Sequence, residues 1–420
     1  MRRLSAALVL VGCCAAWHSA LAGAQPPAPE DARRQYESGV AFLRDGKYVE
    51  ALKDFQAVVE SYPNSRVVDA VYHAGEALRL MGRFEEATTR YRRISTDFPR
   101  SAWAGRALIG EARCLVAAGK PERAMERLQR VRQRFAGTPE ASLAVALNTV
   151  LYRLYLRAPA QLPYQPAARA VAGPGGKLKD VQALAIDAEG TLLVAASSEV
   201  LVFDPSGRPG NSIRAPEPRG VSVDADGQPV ISHKGGVIAR GQNLRLSLPR
   251  PDGSPRLLND IAAAVATPRG DLLVADRGAK AIARFSAAGQ FLEPFAAVGA
   301  RRLAIDPTGV TAAIEEDGGN IVILEPDGAP RARLAGRGEG YQFERAVDLA
   351  FDFFGHLYVL DRNQGTVVFF VLQPQPEVLA TVSLAPGSPG SIRKATAFAL
   401  DPAGRLFVYD GDAPRIQVYQ

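Results

Sequence analysis

The chain repeats itself twice, in two different periods, and this constrains its fold more than any other feature. Between about residues 30 and 138 a pattern returns every 36 or 37 residues. Gly46-Lys47-Tyr48 recurs as Gly82-Arg83-Phe84 and then as Gly119-Lys120-Pro121. Ala51, Ala87 and Ala124 follow at one offset, and Phe55, Tyr91 and Leu128 at the next. Tyr62-Pro63-Asn64-Ser65 returns as Phe98-Pro99-Arg100-Ser101. Gly breaks one helix, the aromatic begins the next, the small Ala lets two helices approach, and Pro ends the unit. From Pro159 the hydrophobic period falls to two, with turn signals between short apolar runs. There the recurring piece is a turn whose first and last residues are Asp187 and Gly190, Asp224 and Gly227, Thr267 and Gly270, Asp306 and Gly309, Asp352 and Gly355, and Asp401 and Gly404. The spacings are 37, 43, 39, 46 and 49 residues. Asp suits this D-x-x-G turn because its carboxylate bonds back to the backbone, and Gly because it accepts positive φ. The expected fold class is therefore a multidomain α + β chain, a helical array followed by an all-β array.

The helical unit resembles the tetratricopeptide repeat, a helix pair of similar length that stacks into a solenoid. The resemblance covers roughly residues 30–138, closely for two repeats and less so for the third, and the helical domain is expected over 30–157. Gly39 and Gly75 fall at the family's small packing position, where the third repeat has Ala112. Residues 139–157 look like a further amphipathic helix, which would cap the open end of the stack. The resemblance implies a concave groove lined by first helices. It places Arg33, Tyr36, Val40 and Leu43 there from repeat one, Tyr72, Glu76 and Arg79 from repeat two, and Arg106 and Arg113 from repeat three. Arginine forks at 79, 106 and 113 would suit the carboxylates of an extended partner, and a solvated basic face is the alternative. Residues 26–157 hold 22 basic and 16 acidic side chains, whereas 158–420 hold 26 and 28. The net +6 of the chain therefore belongs to the helical part once Arg2 and Arg3 are set aside. Arg123, Arg127, Arg130, Arg132 and Arg134 cluster in sequence; an export signal makes anionic lipid or an acidic partner a better match for them than nucleic acid, and a solvated surface is the favoured reading.

Units of strand, D-x-x-G turn, strand, loop and strand fit the blades of a propeller. The last unit, Asp401–Tyr419, resembles the NHL repeat closely, and units three and five less so. Six units imply a six-bladed NHL-type propeller over 167–420, joined through a proline-rich linker at 158–166. The last unit stops after its third strand, so Ala167–Ala172 is expected to supply the fourth and close the ring. By resemblance, the positions at the start of each first strand lie near the channel mouth. They include Asp180, Arg219, Asn259, Asp260, Arg302, Asp348 and Lys394. Arg302 and Asp348 have equivalent registers in adjacent blades and are expected to pair. Asp276, Asp361 and Asp410 follow second strands. They would serve as oxygen ligands to a cation or as turn caps, and Arg277 and Arg362 beside two of them argue against a cation.

The chain opens with Arg2 and Arg3, an apolar stretch from Leu4 to Trp17, and small residues at Ala20–Ala22 and Ala22–Ala24. This is the pattern of a signal peptide over 1–24. Leu10-Val11-Gly12-Cys13 also resembles a lipobox, in which Cys13 would carry a lipid. Cleavage after Ala22 or Ala24 leaves Cys114 alone, which rules out an intrachain disulfide. The propeller holds only His233 and His356, so a three-histidine zinc site is excluded by count, while a calcium site of carboxylates stays open. His356 is expected to pack within a strand. No serine or cysteine nucleophile motif and no phosphate loop appears, and no catalytic residue, cofactor or metal is expected. The expected function is a non-enzymatic scaffold, exported to the periplasm or attached to the outer membrane, that binds protein or peptide partners in the cell envelope. The alternatives are a metal-dependent propeller enzyme of lactonase or lyase type and a ligand-sensing propeller.

Overall fold

A computed structural model describes residues 30–63, 66–156, 164–168, 170–173, 178–384 and 391–420. The first part is an arm of seven α-helices: α1 (Glu30–Arg44), α2 (Tyr48–Ser61), α3 (Val67–Leu80), α4 (Phe84–Asp97), α5 (Ala104–Ala117), α6 (Pro121–Arg134) and α7 (Pro139–Leu151). The repeated small and aromatic positions form its interior. Ala51, Phe55, Ala87, Tyr91, Ala124 and Leu128 are fully buried. Gly75 is needed for close approach, since a Cβ there would lie 2.8 Å from the Tyr91 ring. Pro121, which breaks the aromatic pattern of the third repeat, begins α6, where its missing N–H goes unmissed.

The helix expected over 139–157 runs as α7 and then as one π-helical turn, Tyr152–Leu156. Thr138 caps its start, accepting from the Ala141 amide at 3.3 Å. It does not end the stack with a polar face, as a free cap would. Val150 and Leu154 share one apolar cluster with Tyr358, Phe369, Leu406 and Tyr419. The second domain itself closes the open end of the arm.

That second domain is a ring of six antiparallel sheets. Their first strands are Val181–Ile186, Pro218–Val223, Ile261–Ala266, Ala300–Ile305, Ala346–Phe351 and Ala395–Leu400, blades one to six. Each packs on the next, and the sixth packs on the first. Blades one to five have four strands of their own and blade six has three. The D-x-x-G turns join first to second strands. Asp306 Oδ1 accepts from the Thr308 and Val310 amides at 2.7 and 2.9 Å, and Gly309 has φ +98. Asp187, Asp224, Asp352 and Asp401 make the same pair of bonds. Every first strand also carries a bulge at its second residue: Gln182, Arg219, Ala262, Arg301, Val347 and Thr396. A bulge bends the strand and re-aims a side chain.

The segment after the linker supplies the fourth strand of blade six. Ala167 N donates to Val418 O at 2.8 Å, and Val171 N to Ile416 O at 2.8 Å. Ile416 N returns a bond to Val171 O at 2.9 Å. Gln165 and Gln420 exchange both their backbone bonds, so the pairing begins inside the stretch expected to be linker. Arg169 lies outside the described residues. Replacing Val171 by Pro removes a donor from this seam. Equilibrium denaturation is expected to show a loss of about 1–3 kcal/mol, and an unchanged unfolding midpoint would contradict the pairing.

Candidate functional site: the propeller mouth and the arm groove

The arm lies against the D-x-x-G turns. A Cβ at Gly46, between α1 and α2, would collide with the Arg269 guanidinium of the blade-three turn. Arg113 on α5 sits over the Phe353 ring of the blade-five turn at 4.5 Å. Phe354 packs against both the arm and the propeller clusters. Arg153 donates to the blade-six carbonyls of Ala403 and Gly404 at 3.2 and 2.9 Å. Tyr164, stacked on Phe369, also donates to Gly404 O, at 2.7 Å. The arm thus spans the turns of blades three to six. His356 belongs to this joint and not to a strand interior. It precedes Leu357–Asp361, with Nδ1 2.7 Å from Asp352 Oδ2 and Nε2 2.8 Å from Tyr155 Oη.

The groove residues divide into three kinds. Arg33 is exposed and paired to its own helix, with Glu30 and Glu37 at 2.6 and 3.0 Å. Arg79 is not available to a partner: it is buried and paired to Glu76 at 2.8 Å. Tyr91 Oη also donates to Glu76. Arg113 serves the joint. What stays on the groove is a row of rings. Tyr36 bonds His73 Nδ1 at 3.2 Å, and Tyr72 stacks on Trp103 at 4.4 Å. Arg66 and Arg106 lie over Tyr36 and Trp103, and Asp69 accepts from Trp103 Nε1 at 2.9 Å. Arg106 also pairs with Glu140 at 3.3 Å. His73 and Trp103 were not singled out from the sequence. A His beside Tyr72 and a Trp opening the third repeat were the available signal.

The opposite face of the ring is the mouth, formed where first strands begin and second strands end. Its channel is walled by small and apolar groups, among them Ala183, Gly220, Ala263 and Leu303, around a cavity of about 200 Å³. Arg302 crosses it. Its Nε is 3.7 Å from Asp348 Oδ1 on the neighbouring blade, and its Nη2 donates to Gln182 O, on the blade opposite, at 2.6 Å. Asp348 accepts from the Phe398 and Leu349 amides at 2.9 and 3.1 Å. Burial pushes its carboxyl up to about 6, against the pull of Arg302 and these two amides. Arg219 and Asp260 pair at 2.5 Å, which holds the Asp260 carboxyl low. Asp180 is exposed and accepts from Ser197 at 3.5 Å. Asn259 and Lys394 are exposed.

Asp276, Asp361 and Asp410 are buried and spent on backbone. Asp276 accepts from Asp260 N and Ala279 N at 3.1 and 2.8 Å. Asp361 accepts from Arg345 N and Gln364 N at 2.7 and 2.8 Å. Asp410 accepts from Lys394 N and Asp412 N at 3.2 and 3.1 Å. They tie second strands to the loops before first strands and do not face the channel. Among the described residues, no three of His, Cys, Asp and Glu come together as a metal-holding group.

A family model of the tetratricopeptide repeat matches residues 35–65 and 69–101. The arm carries tetratricopeptide repeats. No curated protein matches the chain. Among solved structures, a gluconolactonase from Xanthomonas campestris is similar at 18% identity, over 61% of this chain and 97% of its own, with a TM-score of 0.43. A streptogramin B lyase is similar at 12% identity, over 62% and 97%, with a TM-score of 0.40. A calcium-binding regucalcin from Agrobacterium tumefaciens is similar at 15%, over 60% and 93%, with a TM-score of 0.41. At these values no activity carries over to the tetratricopeptide–propeller chain.

Two titrations follow from the buried carboxylates. Burial raises Glu76, but the charges of Arg79 and Arg113 and the bonds from Arg79 and Tyr91 outweigh it and hold the carboxyl at about 2. Its stabilisation is full above the ordinary value of 4.5 and is lost as pH falls from there toward 2. Glu76→Gln is expected to remove that slope and to cost about 3 kcal/mol at neutral pH by stranding Arg79. Acid unfolding of the arm followed by circular dichroism checks it. Asp348 has the opposite sign. Held at about 6, above the ordinary 3.8, it favours the folded state fully below 3.8 and loses that contribution as pH rises through 6. A carboxyl titration by NMR is expected to place Asp348 above the other aspartates, and an ordinary value would contradict the burial.

Proposed function

We propose that the chain is an interaction scaffold of the cell envelope, with no chemistry of its own, which holds protein segments on the arm groove and on the propeller mouth. Tetratricopeptide and propeller domains generally mediate protein–protein contacts, which is the broad basis of the proposal. The observation that carries it is the unequal use of the two propeller faces. The arm takes up the D-x-x-G face across blades three to six. The mouth face is left with charged side chains at the start of its strands. The acidic side chains that would favour a metal enzyme are committed elsewhere: Asp276, Asp361 and Asp410 cap loops, and Asp348 faces Arg302 across the channel.

The envelope setting rests on the leader at 1–24, which lies outside the described residues, as do Cys13 and both cleavage sites. Among the described residues no helix is long and apolar enough to cross a membrane. Release would follow cleavage after Ala22 or Ala24, and lipid attachment would use Cys13. The mass of the mature N-terminus separates the two, and retention of the unprocessed chain in the cytoplasm contradicts export.

The scaffold role is tested by photo-crosslinking in cells at native expression. A crosslinking residue at Tyr72 or at Lys394 is expected to trap discrete protein adducts. One at Val145, exposed on α7, is expected to trap none. Absence of adducts at both Tyr72 and Lys394 contradicts the proposal.

A further inference from the structure

The mouth is not evenly charged, although residues 158–420 carry more acidic than basic side chains. On blades one to three Arg219 pairs with Asp260, and Asp180 accepts from Ser197. On blades three to five four arginines gather without such partners. Arg277 and Arg362 occupy the same position, one residue beyond the second strands of blades three and five. Arg345 precedes the first strand of blade five, and its carbonyl accepts from Arg362 N at 3.0 Å. Arg301 is the bulge residue of blade four. Gly318 lies between two of them: a Cβ there would be 3.4 Å from Arg301 Nη1 and 3.7 Å from Arg345 Cγ. Among the described residues none of the four guanidinium groups has a carboxylate oxygen within 4 Å, although the Arg345 backbone N–H donates to Asp361, and Arg277 lends Asp260 only a longer-range attraction. Their mutual repulsion shows on Arg301, whose guanidinium is held below its usual value first by burial and then by Arg302, Arg345, Arg277 and Arg362.

Four like charges held together lower the stability of the free protein. A ligand that brings carboxylates removes that repulsion, and each guanidinium can take one as a bidentate fork. We infer that the mouth over blades three to five is a binding site for an acidic protein segment, whose carboxylates are held by Arg277, Arg301, Arg345 and Arg362. The inference rests on the scaffold reading and names the class of segment that the propeller takes. A peptide fits better than a nucleic acid, because the four arginines have no aromatic side chain among them on which bases could stack. Arg302 is not part of the site, since Asp348 and Gln182 O already hold it.

The test uses the full mature chain and a fluorescent deca-glutamate peptide, with deca-glutamine as control, read by anisotropy at several salt concentrations. Deca-glutamate alone is expected to bind, and more weakly as salt rises. Arg277→Gln with Arg345→Gln, both exposed, is expected to weaken binding at least tenfold. Arg90→Gln with Arg100→Gln on the arm leaves it unchanged. Arg277→Glu with Arg345→Glu is expected to transfer binding to deca-lysine, a gain that misfolding would not give. Equal binding of the two peptides, no effect of the mouth variants, or tighter capture of single-stranded DNA at the same arginines would overturn the inference. Loss of deca-glutamate binding with crosslinks at Lys394 retained would sink the acidic ligand and leave the scaffold standing.

Discussion

Ring closure is the constraint on which the rest of the molecule depends. A propeller of independent blades would leave a free edge at blade six, which has only three strands of its own. Gln165, Ala167 and Val171 line that edge, bonded to Gln420, Val418 and Ile416. Because the same segment comes out of the last helix of the arm, closing the ring also fixes where the arm must lie. Arg153 and Tyr164 converge on the Gly404 carbonyl. Val150 and Leu154 complete the apolar cluster between blades five and six. Arm docking and ring closure are one structural event.

The consequence is a division of labour between the two faces of the ring. The face built from D-x-x-G turns has become an internal surface over four blades. Its chemistry shows this. The exposed turn residues of blades one and two include Glu189 and Asp226, whereas blade five presents Phe353 and Phe354 to the arm. The mouth keeps its charges. All six first strands carry a bulge where they begin, and on blade four the bulge residue is Arg301. Ala183, Gly220, Ala263, Arg302 and Asp348, two places into their first strands, line the channel, and Arg302 and Asp348 are its charged groups.

The two arrays and their turns were legible from the sequence because repetition exposes structure without any knowledge of contacts. Asp306 and Gly309 announce their bonds and their φ by residue type alone. The seam of blade six was legible as well, from a strand missing at one end and spare at the other. Arg79 was not, because register gives the face of a helix but not the depth of a side chain. Glu76 one turn earlier draws it inward. His356 was misread for a similar reason: the apolar run beside it looks continuous with the strand, but the Asp352 carboxylate and Tyr155 claim both ring nitrogens. The arginine group at the mouth is spread from 277 to 362 in sequence, and only the ring brings it together. Net charge concealed it.

Amide hydrogen exchange on the full chain tests the closure most directly. Gln165, Ala167 and Val171 on one side, with Ile416 and Gln420 on the other, are expected to exchange as slowly as the inner strands of blade six. Arg153→Ala is expected to raise exchange on both sides of the seam together, because the arm and the ring share it. Fast exchange at Gln165, Ala167 and Val171 in a propeller that is otherwise protected would contradict the closure, and with it the placement of the arm.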